Sequence, residues 1–224
     1  MNAIITVDGP SGAGKGTLCQ LLAKATGYAL LDSGALYRLT ALAAIKAEVA
    51  LTDVQALAES AAGLDIAFNA TEQGVTVLLA GEDVTRAIRE EAVGMAASQV
   101  AALQPVRDAL LMRQRAFADG SGLVADGRDM GTVVFPSAAV KFFLTASAEE
   151  RAKRRVLQLE SAGQKADEQQ ILTDIEARDK RDRERVSSPL VPAADAILLD
   201  STKMTIDQVF EYAMATIKKA ALSS

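Results

Sequence analysis

Gly9-Pro10-Ser11-Gly12-Ala13-Gly14-Lys15 is the stretch that decides the fold. It fits G-x4-G-K, the spacing of a phosphate-binding loop. Glycines let backbone N–H groups converge on phosphate oxygens without Cβ collisions. The helix that follows aims its positive N-terminal end at the same anion, and Lys15 adds a point charge at the β/γ-phosphates. The flanks agree with this reading. Ala3 to Val7 is a short apolar, β-branched run ending in Asp8, and it reads as a buried strand. Lys15 to Ala25 reads as a helix, with Leu18, Leu21, Leu22 and Ala25 on one face and Gly27 ending it. A bland glycine turn carrying a surface lysine would require neither neighbour.

Composition narrows the chemistry. The 224 residues contain no histidine, which excludes Ser-His-Asp and Cys-His nucleophile systems and HExxH zinc sites. The one cysteine, Cys19, excludes an intrachain disulfide and a Cys-rich zinc site. One turn into the first helix, it is expected to be buried filling. Three Tyr, six Phe and no Trp leave the core to aliphatic side chains and offer little for base stacking. The net charge of −5 provides no global basic face for nucleic acid. No apolar run reaches the length of a membrane span, and Met1 to Asp8 lacks the basic start of a signal peptide. The expectation is a soluble protein of a reducing, cytoplasmic compartment, without nucleic-acid or membrane partners. What survives is chemistry by Lys, Arg, Asp, Ser, Thr and backbone amides, which suits phosphate.

Strands and helices alternate along the chain. Tyr28 to Leu31 reads as a strand. Asp32 or Ser33 caps a helix with Leu36, Leu39 and Leu42 inward, and Val54 to Ala62 reads as another helix. Leu64 to Phe68 and Val75 to Leu79 then alternate apolar and polar, joined by turn residues over Asn69 to Gly74. With the Gly81-Glu82-Asp83 turn, they predict an antiparallel insert over about 63–90. Two helices follow, Glu91 to Leu103 and Pro105 to Ala118. Leu123 to Ala125 and Val140 to Leu144 are strands. Ala148 to Ser161 and Asp167 to Arg185 are charged helices, and Ala196 to Leu199 and Ile206 to Ala221 close the chain. The prediction is an α/β fold, a parallel sheet covered by helices on both faces.

The arginines are unevenly placed. Seven of the fourteen lie between residues 151 and 185. Planar guanidinium forks suit the charge that spreads over a phosphoryl group in transfer. Arg178, Arg181 and Arg185 fall on one helical face, with Asp182 at i+4 and i−3 from the outer two. A solvated helix laced with salt bridges is the bland alternative, and Arg151, Arg155 and Arg183 read as surface charges. The lack of histidine also bears on the acceptor. A phosphate monoester is already largely dianionic at pH 7 and can attack without an imidazole base.

The lysine of the loop is followed by Gly16 and Thr17 rather than directly by Ser or Thr. Lys-Gly-Thr is the form seen in nucleoside monophosphate kinases such as adenylate kinase. From Asp32-Ser33-Gly34-Ala35-Leu36-Tyr37-Arg38 onward the chain resembles the bacterial cytidylate kinase (CMP kinase) family. Asp126-Gly127-Arg128-Asp129-Met130-Gly131-Thr132, Arg178-Asp179-Lys180-Arg181-Asp182 and Pro189-Leu190-Val191-Pro192-Ala193-Ala194-Asp195-Ala196 match it too. The resemblance runs nearly end to end and includes the β insert.

That resemblance implies a P-loop core with a five-stranded parallel sheet, at about 1–32, 104–156 and 186–224. It implies an acceptor-binding region at about 33–103 and a short lid at about 157–170, flanked by the Arg-rich helices 148–161 and 167–185. It implies transfer of the γ-phosphate of ATP, with Mg²⁺, to CMP or dCMP by a monomer in pyrimidine nucleotide metabolism. Gly9, Pro10, Ser11, Gly12, Ala13, Gly14, Lys15, Gly16 and Thr17 would hold the ATP phosphates, and Arg154 would contact ATP. Ser33, Arg38 and Arg128 match positions at the CMP phosphate, and Tyr37 lines that pocket. Ser98, Arg107 and Asp129 match positions reading cytosine. Arg178 and Asp182 match positions at the sugar, and Arg185 one near the phosphates. Lys15, Arg128, Arg178 and Arg185 form the expected catalytic set. Asp126 is either a structural carboxylate or a holder of magnesium waters, so the metal ligands stay unassigned. A kinase of the same fold with another small acceptor, or a non-catalytic nucleotide-binding regulator, is the competing reading.

Overall fold

The computed structural model describes residues 3–71 and 74–221 and divides into two units. The larger comprises 1–32 and 115–224, the smaller 33–114. Residues 72 and 73, within the expected Asn69–Gly74 turn, lie outside the described residues.

The larger unit is built on β1 (Ala3–Asp8), α1 (Lys15–Thr26) and β2 (Ala29–Asp32). The remaining elements are β6 (Gly122–Gly127), β7 (Val140–Thr145), α6 (Ala148–Ser161), α7 (Glu168–Glu184), β8 (Ile197–Asp200) and α8 (Ile206–Ala221). Its sheet is five-stranded and parallel, in the order β2-β6-β1-β7-β8. β1 therefore lies centrally, and its carboxyl end is where open α/β sheets place their ligands. The register sets Asp8 opposite Gly127, Val7 opposite Asp126, and Asp32 opposite Asp126. Three carboxylates thus end neighbouring strands on the same edge.

Ile5, Val7, Val124, Phe142, Leu144 and Leu199 from the strands pack with Leu18, Cys19 and Leu22 of α1 and Val209 and Ala213 of α8. Cys19 is core filling, and burial pushes its thiol up. Cys19 is buried as expected, but of the inward face read in the sequence only Leu18 and Leu22 are fully buried; Leu21 is half-buried and Ala25 is exposed. Ala25 is too near the helix end to reach the sheet, because Gly27 (φ +72) turns the chain away with its N–H on the Ala23 carbonyl.

The smaller unit contains α2 (Ser33–Lys46), α3 (Val54–Ala62), β3 (Ile66–Thr71), β4 (Gly74–Leu79), β5 (Glu82–Asp83) and α4 (Glu91–Val100). α5 (Gln104–Ala116) runs to its end. The three strands form an antiparallel meander, with Phe68 opposite Val77 and Leu78 opposite Asp83. β4 turns Val77 and Leu79 inward, as its alternation requires. The unit ends at Gln114, not near 103, because α5 is bonded into it. Arg113 donates to the Leu64 carbonyl, Arg107 to that of Ala101, and Ser33 to Gln114 Oε1. Among the described residues no helix is long and apolar enough to cross a membrane.

Candidate active site

The loop between β1 and α1 starts at Gly9, whose φ is +149. A Cβ there would sit 1.9 Å from the Leu144 carbonyl oxygen, so the close approach of β7 admits only glycine. Lys15 is buried on the first turn of α1; its Nζ donates to the Pro10 carbonyl at 2.9 Å and lies 3.9 Å from Asp126 Oδ1. Burial pushes the Lys15 ammonium down to about 8; Arg128 and Arg178 add to the fall while Asp126 opposes it. Burial likewise lifts Asp126 to about 6 against the pull of Lys15, and the adjoining carboxylates Asp32 and Asp8 add to the rise. The strand register explains that crowding.

Asp8 contributes more than the end of a strand. Its Oδ1 accepts the Met130 N–H at 2.8 Å, and its Oδ2 accepts the Gly131 N–H at 2.7 Å. The carboxylate so holds the turn that follows Asp129, which opens a short π-type helix at 130–134. Asp129 itself is buried. Burial raises Asp8 to about 6 despite those two N–H groups. Sequence reasoning passed over Asp8, since nothing in one chain shows which N–H groups, some 120 residues away, will meet a strand-end acid.

Four of the site residues read from the sequence gather within the larger unit. Arg128 Nε donates to Asp182 Oδ2 at 3.1 Å, and its Nη1 to the Gly127 carbonyl at 3.3 Å. Burial alone would raise the Asp182 carboxyl, but Arg128, Arg185 and Arg178 together hold it below its ordinary value. The Arg128 guanidinium, penalised by burial, is held up by Asp182 and Asp126. The helix face of Arg178, Asp182 and Arg185 is therefore a packed, charged cluster on α7 and its C-cap, not a solvated one. Arg185 Nε donates to the Ser188 carbonyl. Arg154 reaches the loop through Ser201: it donates to the Ser201 carbonyl at 2.8 Å, and Ser201 Oγ donates to Ala13. Thr17 and Gly16 are exposed at the head of α1.

Arg151 departs from the sequence reading. Expected on the surface, it is 2% exposed. Its fork takes both oxygens of Asp179, and its other N–H groups reach the carbonyls of Ser11 and Ala146. The side of α6 that packs on α7 carries Arg151, so it is enclosed. Arg155 is half-buried on Gln158, and Arg183 is exposed as expected. A cleft of about 540 Å³ lies beside the Arg151–Asp179 pair, lined also by Ser147, Lys180, Arg183 and Thr202, and no residue of the phosphate loop lines it.

In the smaller unit Tyr37 and Arg107 are buried together, the guanidinium 5.5 Å from the ring centroid. Arg38 donates to the Ile88 carbonyl at 2.8 Å. Ser33 is the first residue of α2 and is bonded to Gln114. Ser98 is buried on α4. Among the described residues no group of three His, Cys, Asp or Glu side chains could cage a metal.

A lysine on a phosphate loop, electrostatically coupled to arginines that share a carboxylate, suits the dispersed charge of a phosphoryl group in transfer. On a five-stranded parallel sheet of this order, it defines a P-loop kinase. The family model for cytidylate kinase matches residues 5–219. The cytidylate kinase of Saccharophagus degradans is 58% identical over 223 residues, 99% of this chain and 100% of that protein. That of Vibrio cholerae is 59% identical over 215 residues, 96% of each chain. A crystal structure of an uncharacterized protein from Eubacterium ventriosum shares the fold at a TM-score of 0.53 and 12% identity, covering 98% of this chain and 99% of that one. The chain belongs to the cytidylate kinase family, and it is an enzyme that phosphorylates CMP at the expense of ATP.

Proposed function

We propose that the chain transfers the γ-phosphate of ATP to dCMP as well as CMP, with the residues described above in the following roles. The observation that carries the assignment is the buried Arg128–Asp182 pair, with Arg178 and Arg185 bearing on the same carboxylate. Backbone amides of Gly9 to Thr17 hold the ATP phosphates, Lys15 bridges the β- and γ-phosphates, and Arg154 steadies ATP from the α6 side. Ser33, Arg38 and Arg128 take the acceptor phosphate beside Tyr37. Arg128 is aimed by its Nε bond to Asp182, which fixes the plane of the fork. Arg178 and Arg185 stabilise charge on the moving group, and Arg178 and Asp182 attend the sugar.

Ser98, Arg107 and Asp129 read the base. Cytosine presents an N4 amino donor, which a carboxylate accepts, and O2 and N3 acceptors, which an arginine meets. Uracil would set its O4 against the Asp129 carboxylate with no proton to share, which disfavours UMP. Mg²⁺ fits this chain as an ion carried in on the ATP phosphates, since such ions need only one or two protein carboxylates. Asp126, beside Lys15 and Gly16, would hold waters of that ion, and the ion would neutralise charge on the ATP phosphates. The stretch 157–170, formed by the end of α6, a link turned at Gly163 (φ +73) and the start of α7, acts as a lid that keeps water from the γ-phosphate. The protein works as a cytoplasmic monomer in pyrimidine nucleotide metabolism, without nucleic-acid or membrane partners.

The test is ADP release from Mg·ATP with CMP, dCMP, UMP, AMP or GMP. Turnover is expected with CMP and dCMP, weak with UMP and near absent with purines. Equal turnover with UMP would overturn the role of Asp129, and none with dCMP would overturn the sugar assignment.

A further inference from the structure

We infer that Arg151, locked by Asp179, is a positioning residue that aims the Ser11–Gly12 peptide of the phosphate loop at the donor phosphates. The inference rests on the loop being the ATP site. Arg151 Nη1 donates to the Ser11 carbonyl at 3.0 Å, and the Gly12 backbone lies over the Arg151 stem, where a Cβ on Gly12 would meet Arg151 Cβ at 3.5 Å. A peptide unit is planar and trans, so its C=O and the next N–H point in opposite directions. Holding the Ser11 carbonyl from below therefore turns the Gly12 amide away from Arg151, on the side where such a loop gathers its amides. The φ of +77 at Gly12 is the backbone state that this orientation uses.

The guanidinium is in turn immobilised. Its Nε donates to the Ala146 carbonyl at 3.0 Å, and its two terminal nitrogens take the Asp179 oxygens at 3.0 and 2.5 Å. All four contacts are made by one rigid planar group, so the loop, the carboxyl end of β7 and helix α7 are registered against one another. Asp179 is the neighbour of Arg178 and lies three residues before Asp182. The same lock thus ties the loop's amide to the helix that carries the arginine cluster. Lysine could not replace it, since an ammonium cannot span three acceptors in a plane.

The experiment measures ADP affinity by calorimetry without CMP, CMP affinity without ATP, and steady-state constants for both substrates. The wild type is compared with R151K and with R151M/D179L. The double variant replaces a buried ion pair by apolar side chains of similar size; Arg183, which lies 3.7 Å from Asp179, is exposed, so no buried charge is left unpaired and stability is commonly preserved. The expected result is a loss of about tenfold in ADP affinity in both variants, from one charged hydrogen bond. CMP affinity should stay within about twofold, and the KM for ATP should rise more than the KM for CMP. A pair that only fills space would leave ADP affinity intact, whatever the melting temperature does. ADP binding within about twofold of wild type in either variant overturns the inference. Should the wild type fail to phosphorylate CMP, the acceptor reading falls, while the ADP measurement still decides this one.

Discussion

Asp8→Asn perturbs one buried oxygen and one charge. Burial raises Asp8 from 3.8 to about 6 in the fold. An acid raised in this way contributes stability that is complete below the unfolded value and is lost as pH climbs through the folded one. The shift of about two units corresponds to about 3 kcal/mol, lost between roughly pH 4 and pH 6. Asparagine has the shape of the protonated acid and does not titrate. Between pH 4 and pH 7 the stability difference between the two proteins should therefore shift by about 3 kcal/mol in favour of the variant. The gain carries a functional loss. The carboxylate accepts both the Met130 and Gly131 N–H groups, whereas the amide accepts one and turns an NH₂ toward the other. The turn behind Asp129 loosens, and kcat/KM for CMP should fall about tenfold at pH 7.5. Urea unfolding of both proteins at pH 4, 5, 6 and 7, beside CMP kinetics, measures the two effects. A stability difference constant across that range to within about 1 kcal/mol would refute the reasoning, because Asp8 would then titrate alike in the folded and the unfolded chain.

Lys15→Ala should cut turnover by orders of magnitude while the circular dichroism spectrum is kept, since the buried ammonium is held down to about 8 and its loss relieves a burial cost; wild-type-like turnover would sink the phosphate-loop reading. Arg38→Ala should raise the KM for CMP well above tenfold and leave the KM for ATP nearly unchanged, if Arg38 holds the acceptor phosphate as proposed; an unmoved CMP KM counts against the assignment. The kcat/KM for ATP should rise with pH through about 6 as Asp126 ionises and decline above about 8 as Lys15 loses its proton. In Asp126→Asn the alkaline limb should move to lower pH, because Asp126 supports the Lys15 charge. An alkaline limb that stays in place would show that the two groups are not coupled.

The chain by itself determined the strand–loop–helix unit at residues 3–26, the class of chemistry and the β insert. These are local properties. A glycine spacing fixes where amides can converge, an alternation of period two fixes which face of a strand is buried, and the absence of histidine removes whole classes of catalyst whatever the fold. The resemblance to the cytidylate kinase family, which implied the cytidine acceptor, rests on several stretches taken together, with Asp126 to Thr132 and Arg178 to Asp182 adding what the loop alone lacks. Only the tertiary structure decided which of seven similar arginines are structural. Arg151 and Arg155 lie one turn apart on the same side of α6 and read alike, but only Arg151 is fully enclosed, with Asp179 and Ser11 as partners, while Arg155 is half-buried on Gln158. Asp182 was legible as the companion of Arg178 and Arg185, which are helical neighbours. Its bond to Arg128, 54 residues away, was not. Asp8 and Asp126 likewise acquire their raised protonation from burial, Asp126 beside Asp32 on the neighbouring strand and Asp8 near Asp129. Spacing along the chain sets which groups can share a helix face or a loop; which groups are taken out of water together is set by how the sheet and helices close.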